Sequence, residues 1–129
     1  LPMLNHNWEE ELPEQCPPST AVEVKNFICY RAVNGNPAAP QDFFSQRRLS
    51  PKAVFKNVTE CVTRACSVFI TIESLKARTL RLPKFRNALV AELCLQPKDG
   101  VVEQGVNGHC SWWVDVAFSP ANDTTIINV

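Results

Sequence analysis

Glycine is scarce in this chain of 129 residues, with only Gly35, Gly100, Gly105 and Gly108. No run has the form Gly-x-x-x-x-Gly-Lys or Gly-x-Gly-x-x-Gly, which excludes the two common backbone cradles for nucleotide phosphates. No Cys-x-x-Cys pair occurs, and the Cys61-x-x-x-x-Cys66 spacing suits zinc poorly. No metal site is expected. Histidine is limited to His6 and His109, and no glycines flank Ser67 as a nucleophile elbow requires. No apolar stretch approaches the roughly 18 residues of a membrane helix. Net charge is zero, which argues against strong nonspecific attraction to nucleic acid, and no nucleic-acid-binding signature is present.

What is present describes a folded chain. A hydrophobic content of 45% suffices for one core, and the length suits one domain. Residues 1–25 read as an irregular acidic lead, broken by Pro13, Pro17 and Pro18, with Trp8 positioned to dock it onto the body. Residues 26–129 then form the domain proper.

Strands are predicted at 26–33, 66–70, 88–95, 101–103, 111–118 and 124–129. The clearest is Ala88 to Leu95, where Leu89, Ala91, Leu93 and Leu95 alternate with Glu92 on the opposite side. A helical turn is expected over Pro40–Gln46, loop over Arg47–Pro51, and a short helix over Val58–Ala65. Another helix begins after Thr71 as N-cap, with Glu73 in its first turn, and stops at Pro83. The pattern specifies an α+β fold: a mixed or mostly antiparallel sheet with one or two short helices.

Charge is segregated. Residues 1–25 carry five glutamates and one lysine, residues 47–86 carry ten Lys or Arg against Glu60 and Glu73, and the rest is acidic. Either the acidic ends fold over the basic middle and neutralise it, or the middle forms a basic face for a phosphate-bearing ligand.

The six cysteines, at 16, 29, 61, 66, 94 and 110, fall below the density of disulfide scaffolds. Cys29 and Cys94 lie in apolar runs that suit free thiols. Reduced structural cysteines and a cytoplasmic protein are the expectation. Two glycosylation sequons, at Asn57 and Asn122, sustain the alternative of a secreted, disulfide-bonded interaction domain.

One residue stands apart. Arg31 sits inside Phe27-Ile28-Cys29-Tyr30-Arg31-Ala32-Val33, where a charge is costly unless it is paired or meets a ligand. Pairing with Asp42 or Glu92 is the structural alternative to a site. The candidate ligand-binding set is Tyr30, Arg31, Asp42, Ser67, His109, Trp112 and Trp113. Asp42 is equally suited to capping a turn, and Ser67 to a plain strand position. His109, after the Asn107-Gly108 turn, is expected to titrate near neutral pH. At period two, one of Trp112 and Trp113 should be core and the other should line a cleft. These residues suggest a binding or regulatory module for an anionic ligand or a protein partner, with no membrane and no cofactor.

Tyr30-Arg31, Pro40-Gln41-Asp42-Phe43, Cys66-Ser67-Val68-Phe69, Pro83-Lys84-Phe85-Arg86 and His109-Cys110-Ser111-Trp112-Trp113 follow in order. This succession resembles an uncharacterised bacterial family, over residues 27–113, and departs from it at Ala65-Cys66, where that pattern prefers Gly-Leu. The family implies no activity. A looser similarity links the chain to ADP-ribosyltransferase-like domains. It implies an enzyme acting on NAD or a nucleotide, with Arg31 holding phosphate or ribose, Ser67 bracing that arginine and Glu103 as the acid. The catalytic candidates are thus Arg31, Ser67, Glu103 and His109.

Overall fold

The computed structural model describes residues 3–129; Leu1 and Pro2 of the predicted lead lie outside them. Strands β1 (Phe27–Val33), β2 (Cys66–Phe69), β3 (Leu89–Leu95), β4 (Gly100–Gln104), β5 (His109–Val114) and β6 (Thr124–Ile127) form one sheet. Its order is β4-β5-β2-β1-β3-β6, and every pairing is antiparallel. The fold is α+β.

Local chemistry accounts for the short helices. Helix α1 (Gln46–Leu49) replaces the loop expected from Arg47, because the Ser45 hydroxyl accepts a hydrogen bond from the Arg48 N–H and opens a helical turn. Thr59 caps α2 (Glu60–Thr63) in the same way, and Thr71 caps α3 (Ile72–Leu75). Helix α3 widens into a π-helical turn over Lys76–Leu80, and Pro83 starts a separate 3-10 turn. Three short α-helices are present among the described residues.

Alternation along β1 sends Cys29, Arg31 and Val33 to one face and Tyr30 and Ala32 to the other. The first face carries the main core, in which Cys29, Val33, Val68, Leu93 and Trp112 pack with Phe43 and Phe118. The second face carries two smaller clusters. One surrounds Trp113, Val101 and Ala65, and the other surrounds Phe69, Leu75 and Val90. Between them runs a polar row, Ser67 beside Ser111 beside Glu103.

The sheet has a seam. β1 is aligned with β3 at seven consecutive pairs but with β2 at only one, Tyr30 with Phe69. Beyond that pair the strands part, so two three-stranded halves meet along a short contact.

The lead is irregular, yet it is bound to the body. Isolated bridges join Trp8 to Asp115 and Val22 to Val102. His6, stacked on Trp8, meets Asp115 at 2.6 Å through Nδ1 and Glu23 at 2.8 Å through Nε2. Cys16 and Cys61 form a disulfide, their Cα atoms 5.5 Å apart. This corrects the expectation of six reduced cysteines. Docking of the lead under Trp113 brings Cys16 to α2, a proximity that a sequence separation of 45 conceals. Cys29, Cys66 and Cys110 are free and buried, whereas Cys94, on the Glu92 side of β3, is free and exposed. Unreduced, denatured protein should therefore titrate four thiols and reduced protein six; six before reduction would contradict the pairing.

Candidate functional site

A cavity of about 470 Å³ opens at the seam. Its walls come from the parted ends of β1 and β2, the 41–49 segment, and the helical stretch from Leu75 to Phe85. Of the predicted site residues, Arg31, Asp42 and Ser67 line it. Tyr30, Glu103, His109, Trp112 and Trp113 do not.

Arg31 is the residue that the seam requires. Its Nε donates to the Asp42 carbonyl and its Nη1 to the Ser67 carbonyl, both at 2.7 Å. The guanidinium thus occupies the space where β1 would otherwise bond β2 and ties the sheet halves together. Neither predicted ion pair forms: Arg31 engages the backbone oxygen of Asp42, and Glu92 lies across from Tyr30 on the opposite face. A guanidinium has five N–H donors. Two are committed, which leaves the others for solvent or a ligand.

Asp42 is a capping residue. Its carboxylate accepts from the N–H groups of Asn34, Gly35 and Ala39 at 2.8 to 3.2 Å, closing the turn that follows β1. Its negative charge is therefore largely spent on backbone dipoles, although it is the one carboxylate on the cavity wall among the described residues.

Two further cations, Arg78 and Lys84, share the wall with Phe44, Phe69, Phe85 and Leu82. Among the described residues neither has a carboxylate within ion-pair distance. Glu9 of the acidic lead reaches Arg48 at 3.7 Å, and Glu60 within the basic middle binds Arg47 and Arg64. The basic segment is thus divided. Arg47, Arg48 and Arg64 are paired, whereas Arg78 and Lys84 face an open cavity.

His109 stands behind Ser67. Its Nε2 lies 2.9 Å from the Ser67 Oγ, and its ring packs edge-on against Phe69. The preceding turn is held against α3: Gly108 has φ +78°, and a Cβ there would come within 2.4 Å of the Ser74 Oγ. Only glycine suits this position. Burial, and then the Arg78 charge, hold the imidazole below its ordinary value. The turn histidine, expected to be exposed, is half-buried. The contact with Ser67 was invisible in the sequence because register alone brings residues 42 apart together.

Other candidates have different roles. Tyr30 packs with the Phe69–Leu75–Val90 cluster, and burial followed by Glu92 pushes its phenol up. Glu103 accepts a hydrogen bond from the Thr20 hydroxyl of the lead, two strands away from Ser67. Both tryptophans are buried. Trp112 donates from Nε1 to the Asp99 carbonyl in the main core, and Trp113 donates to the Cys61 carbonyl beside the disulfide. One of the pair was expected to line a cleft; instead the lead covers the face that carries Trp113, and neither indole lines the cavity.

Acid should weaken the fold in two ranges. His109 has a folded-state pKa below its unfolded value, so the unfolded chain binds the proton more readily and stability falls as pH drops below about 6.5. The carboxyl of Asp115 is also held down, by the Ala117 N–H and then His6, against its own burial. Its contribution is present above the usual carboxylate range and is lost as pH falls below it. Urea midpoints measured across pH should show both declines, and His109→Gln should remove the first; a midpoint flat between pH 7 and 5 would contradict the His109 assignment.

Among the described residues, no three His, Cys, Asp or Glu side chains gather as metal ligands would, and no helix is long and apolar enough to cross a membrane. Compared with models of known protein families, with curated proteins and with solved structures, the chain matches none.

Proposed function

We propose that this protein binds a small amphiphilic anion, a phosphate or carboxylate head on an apolar body, in the cleft at the sheet seam. The observation that carries this reading is the convergence of Arg31, Arg78 and Lys84 on one cavity where, among the described residues, the one carboxylate accepts hydrogen bonds from three backbone N–H groups. A cavity of about 470 Å³ falls within the range of small-molecule sites. Its aromatic and leucine surfaces suit the body of such a ligand, and the cations suit its head.

Calorimetric titration with 1-naphthyl phosphate, inorganic phosphate and 1-naphthol tests it. Naphthyl phosphate should bind most tightly, because it alone satisfies both surfaces. Arg78→Glu combined with Lys84→Glu should weaken it by about 100-fold or more, since each charge-assisted bond contributes about 1.5–3 kcal/mol. Arg81→Glu is the control. Arg81 donates to the Ala77 carbonyl and lies off the wall, so binding should stay within about twofold, as for an exposed charge. Equal losses in both variants would mean that only diffuse charge is at work.

An ADP-ribosyltransferase-like activity draws on the same Arg31–Ser67 contact. It further requires a carboxylate at the cleft, and Glu103 is tied to Thr20 instead. Release of nicotinamide from NAD, abolished by Arg31→Met, would favour it over simple binding. The Cys16–Cys61 disulfide supports work in an oxidising compartment.

A further inference from the structure

The polar row on the second face contains an arrangement that ligand binding leaves unused. Ser67 lines the cleft, and its hydroxyl lies 2.9 Å from His109 Nε2, within the reach at which a base takes a proton from a nucleophile. Ser67 is a residue of the cavity wall, and His109 is not. Arg78, on the same wall, is the cation whose charge reaches His109, and Arg31 is bonded to the backbone carbonyl of Ser67.

We propose that Ser67 and His109 form a nucleophile–base pair that hydrolyses esters of small carboxylate- or phosphate-bearing molecules held in the seam cleft; this rests on the anion-binding reading above. The Ser67 Oγ attacks the acyl carbon while its proton passes to His109 Nε2. Negative charge developing on the carbonyl oxygen is met by the guanidinium of Arg78 on the cavity wall. The acyl–oxygen bond breaks, the proton moves from Nε2 to the departing alkoxide, and an alcohol leaves. Water then attacks the acyl-serine and gives a proton to Nε2, which passes it to the departing Ser67 Oγ, releasing the acid and restoring both Ser67 and neutral His109. One water is consumed, and nothing is oxidised or reduced.

The geometry also explains why a base on this strand is held in its neutral, proton-accepting form. His109 is half-buried and faces the cation Arg78. Both effects disfavour the imidazolium, so the pair is poised at neutral pH and should lose activity as acid protonates it.

The test uses mono(4-nitrophenyl) succinate, an ester with a free carboxylate, and a fluorophosphonate that phosphonylates activated serines. Nitrophenolate should appear as a burst stoichiometric with protein, and the fluorophosphonate should modify Ser67, mapped by mass spectrometry. Ser67→Ala should abolish both. His109→Gln should slow acylation by about 100-fold or more, the usual scale of a general base. The wild-type acylation rate should fall on acidification with an inflection below about 6.5, the ordinary histidine value. Circular dichroism checks that the variants fold, and Ser67→Cys, which retains a nucleophile, should recover a burst if Ser67→Ala is unstable. An unmodified Ser67 with no burst, in protein that still binds naphthyl phosphate through Arg78 and Lys84, overturns this proposal and leaves the binding reading standing. Loss of that binding as well overturns both.

Discussion

Arg31→Met should unfold the protein more readily and remove anion binding together. The guanidinium makes two 2.7 Å bonds to carbonyls that have no other described partner, one on each side of the seam. A bond from a charged donor contributes about 1.5–3 kcal/mol, and water entering the open cleft recovers part of the loss, so a destabilisation of about 2–4 kcal/mol is expected. For a chain of this size that corresponds to roughly 10 °C in melting temperature. Methionine keeps much of the apolar stem, so the effect isolates the head group. Arg31→Lys should restore charge without the bridge, since a single ammonium cannot reproduce the planar fork that spans both carbonyls. Its stability should stay near that of the methionine variant while weak anion binding returns. Thermal melts and titrations of both variants check this; a methionine variant as stable as the wild type would show that the seam does not need its arginine.

Trp112→Ala should cost still more stability, about 3–5 kcal/mol, as expected for a buried aromatic truncated to alanine. The indole is fully buried and packs edge-on against Phe118 at 4.8 Å and Phe43 at 6.1 Å. Its Nε1 satisfies the Asp99 carbonyl at the 3-10 turn before β4. That turn is itself constrained. Gly100 has φ +122°, and a Cβ there would fall 2.0 Å from the Trp113 carbonyl oxygen. Trp112→Phe keeps a ring against Phe118 and loses only the hydrogen bond, so about 1–2 kcal/mol should be lost. Anion affinity should survive in Trp112→Phe because no tryptophan lines the cleft. A phenylalanine variant that folds but fails to bind would restore the stacking role that the sequence suggested.

Much of the fold was legible because its signals are local. Alternation in Leu89–Leu95, the Thr71 cap and the stop at Pro83 each reflect a few neighbouring residues, and each has a counterpart in the structure. The Ser45 cap was equally local and was missed, because two arginines following it read as loop rather than as a helical turn. The site was legible only in part. Arg31 drew attention as a charge in an apolar strand, and it does line the cavity. Its partners were not readable, because backbone carbonyls carry no sequence signature and the parting of β1 from β2 is a property of the whole sheet.

Arg78 and Lys84 were visible only as two cations among ten. What distinguishes them is that Glu60 within the middle is committed to Arg47 and Arg64, and Glu9 of the docked lead to Arg48. The lead's docking also buries Trp113 and closes the disulfide, so one long-range event accounts both for the absence of an indole in the cleft and for the oxidised pair of cysteines.

The most direct measurement follows the arginine side-chain N–H signals and the Ser67 amide in ¹⁵N-labelled protein during titration with 1-naphthyl phosphate. The Arg31 and Arg78 side-chain signals and the Ser67 amide should shift together along one saturable curve, with Arg47, Arg64 and Arg81 unmoved. Shifts spread over the exposed cations, or a motionless Arg31 at saturation, would contradict an anion seated at the sheet seam.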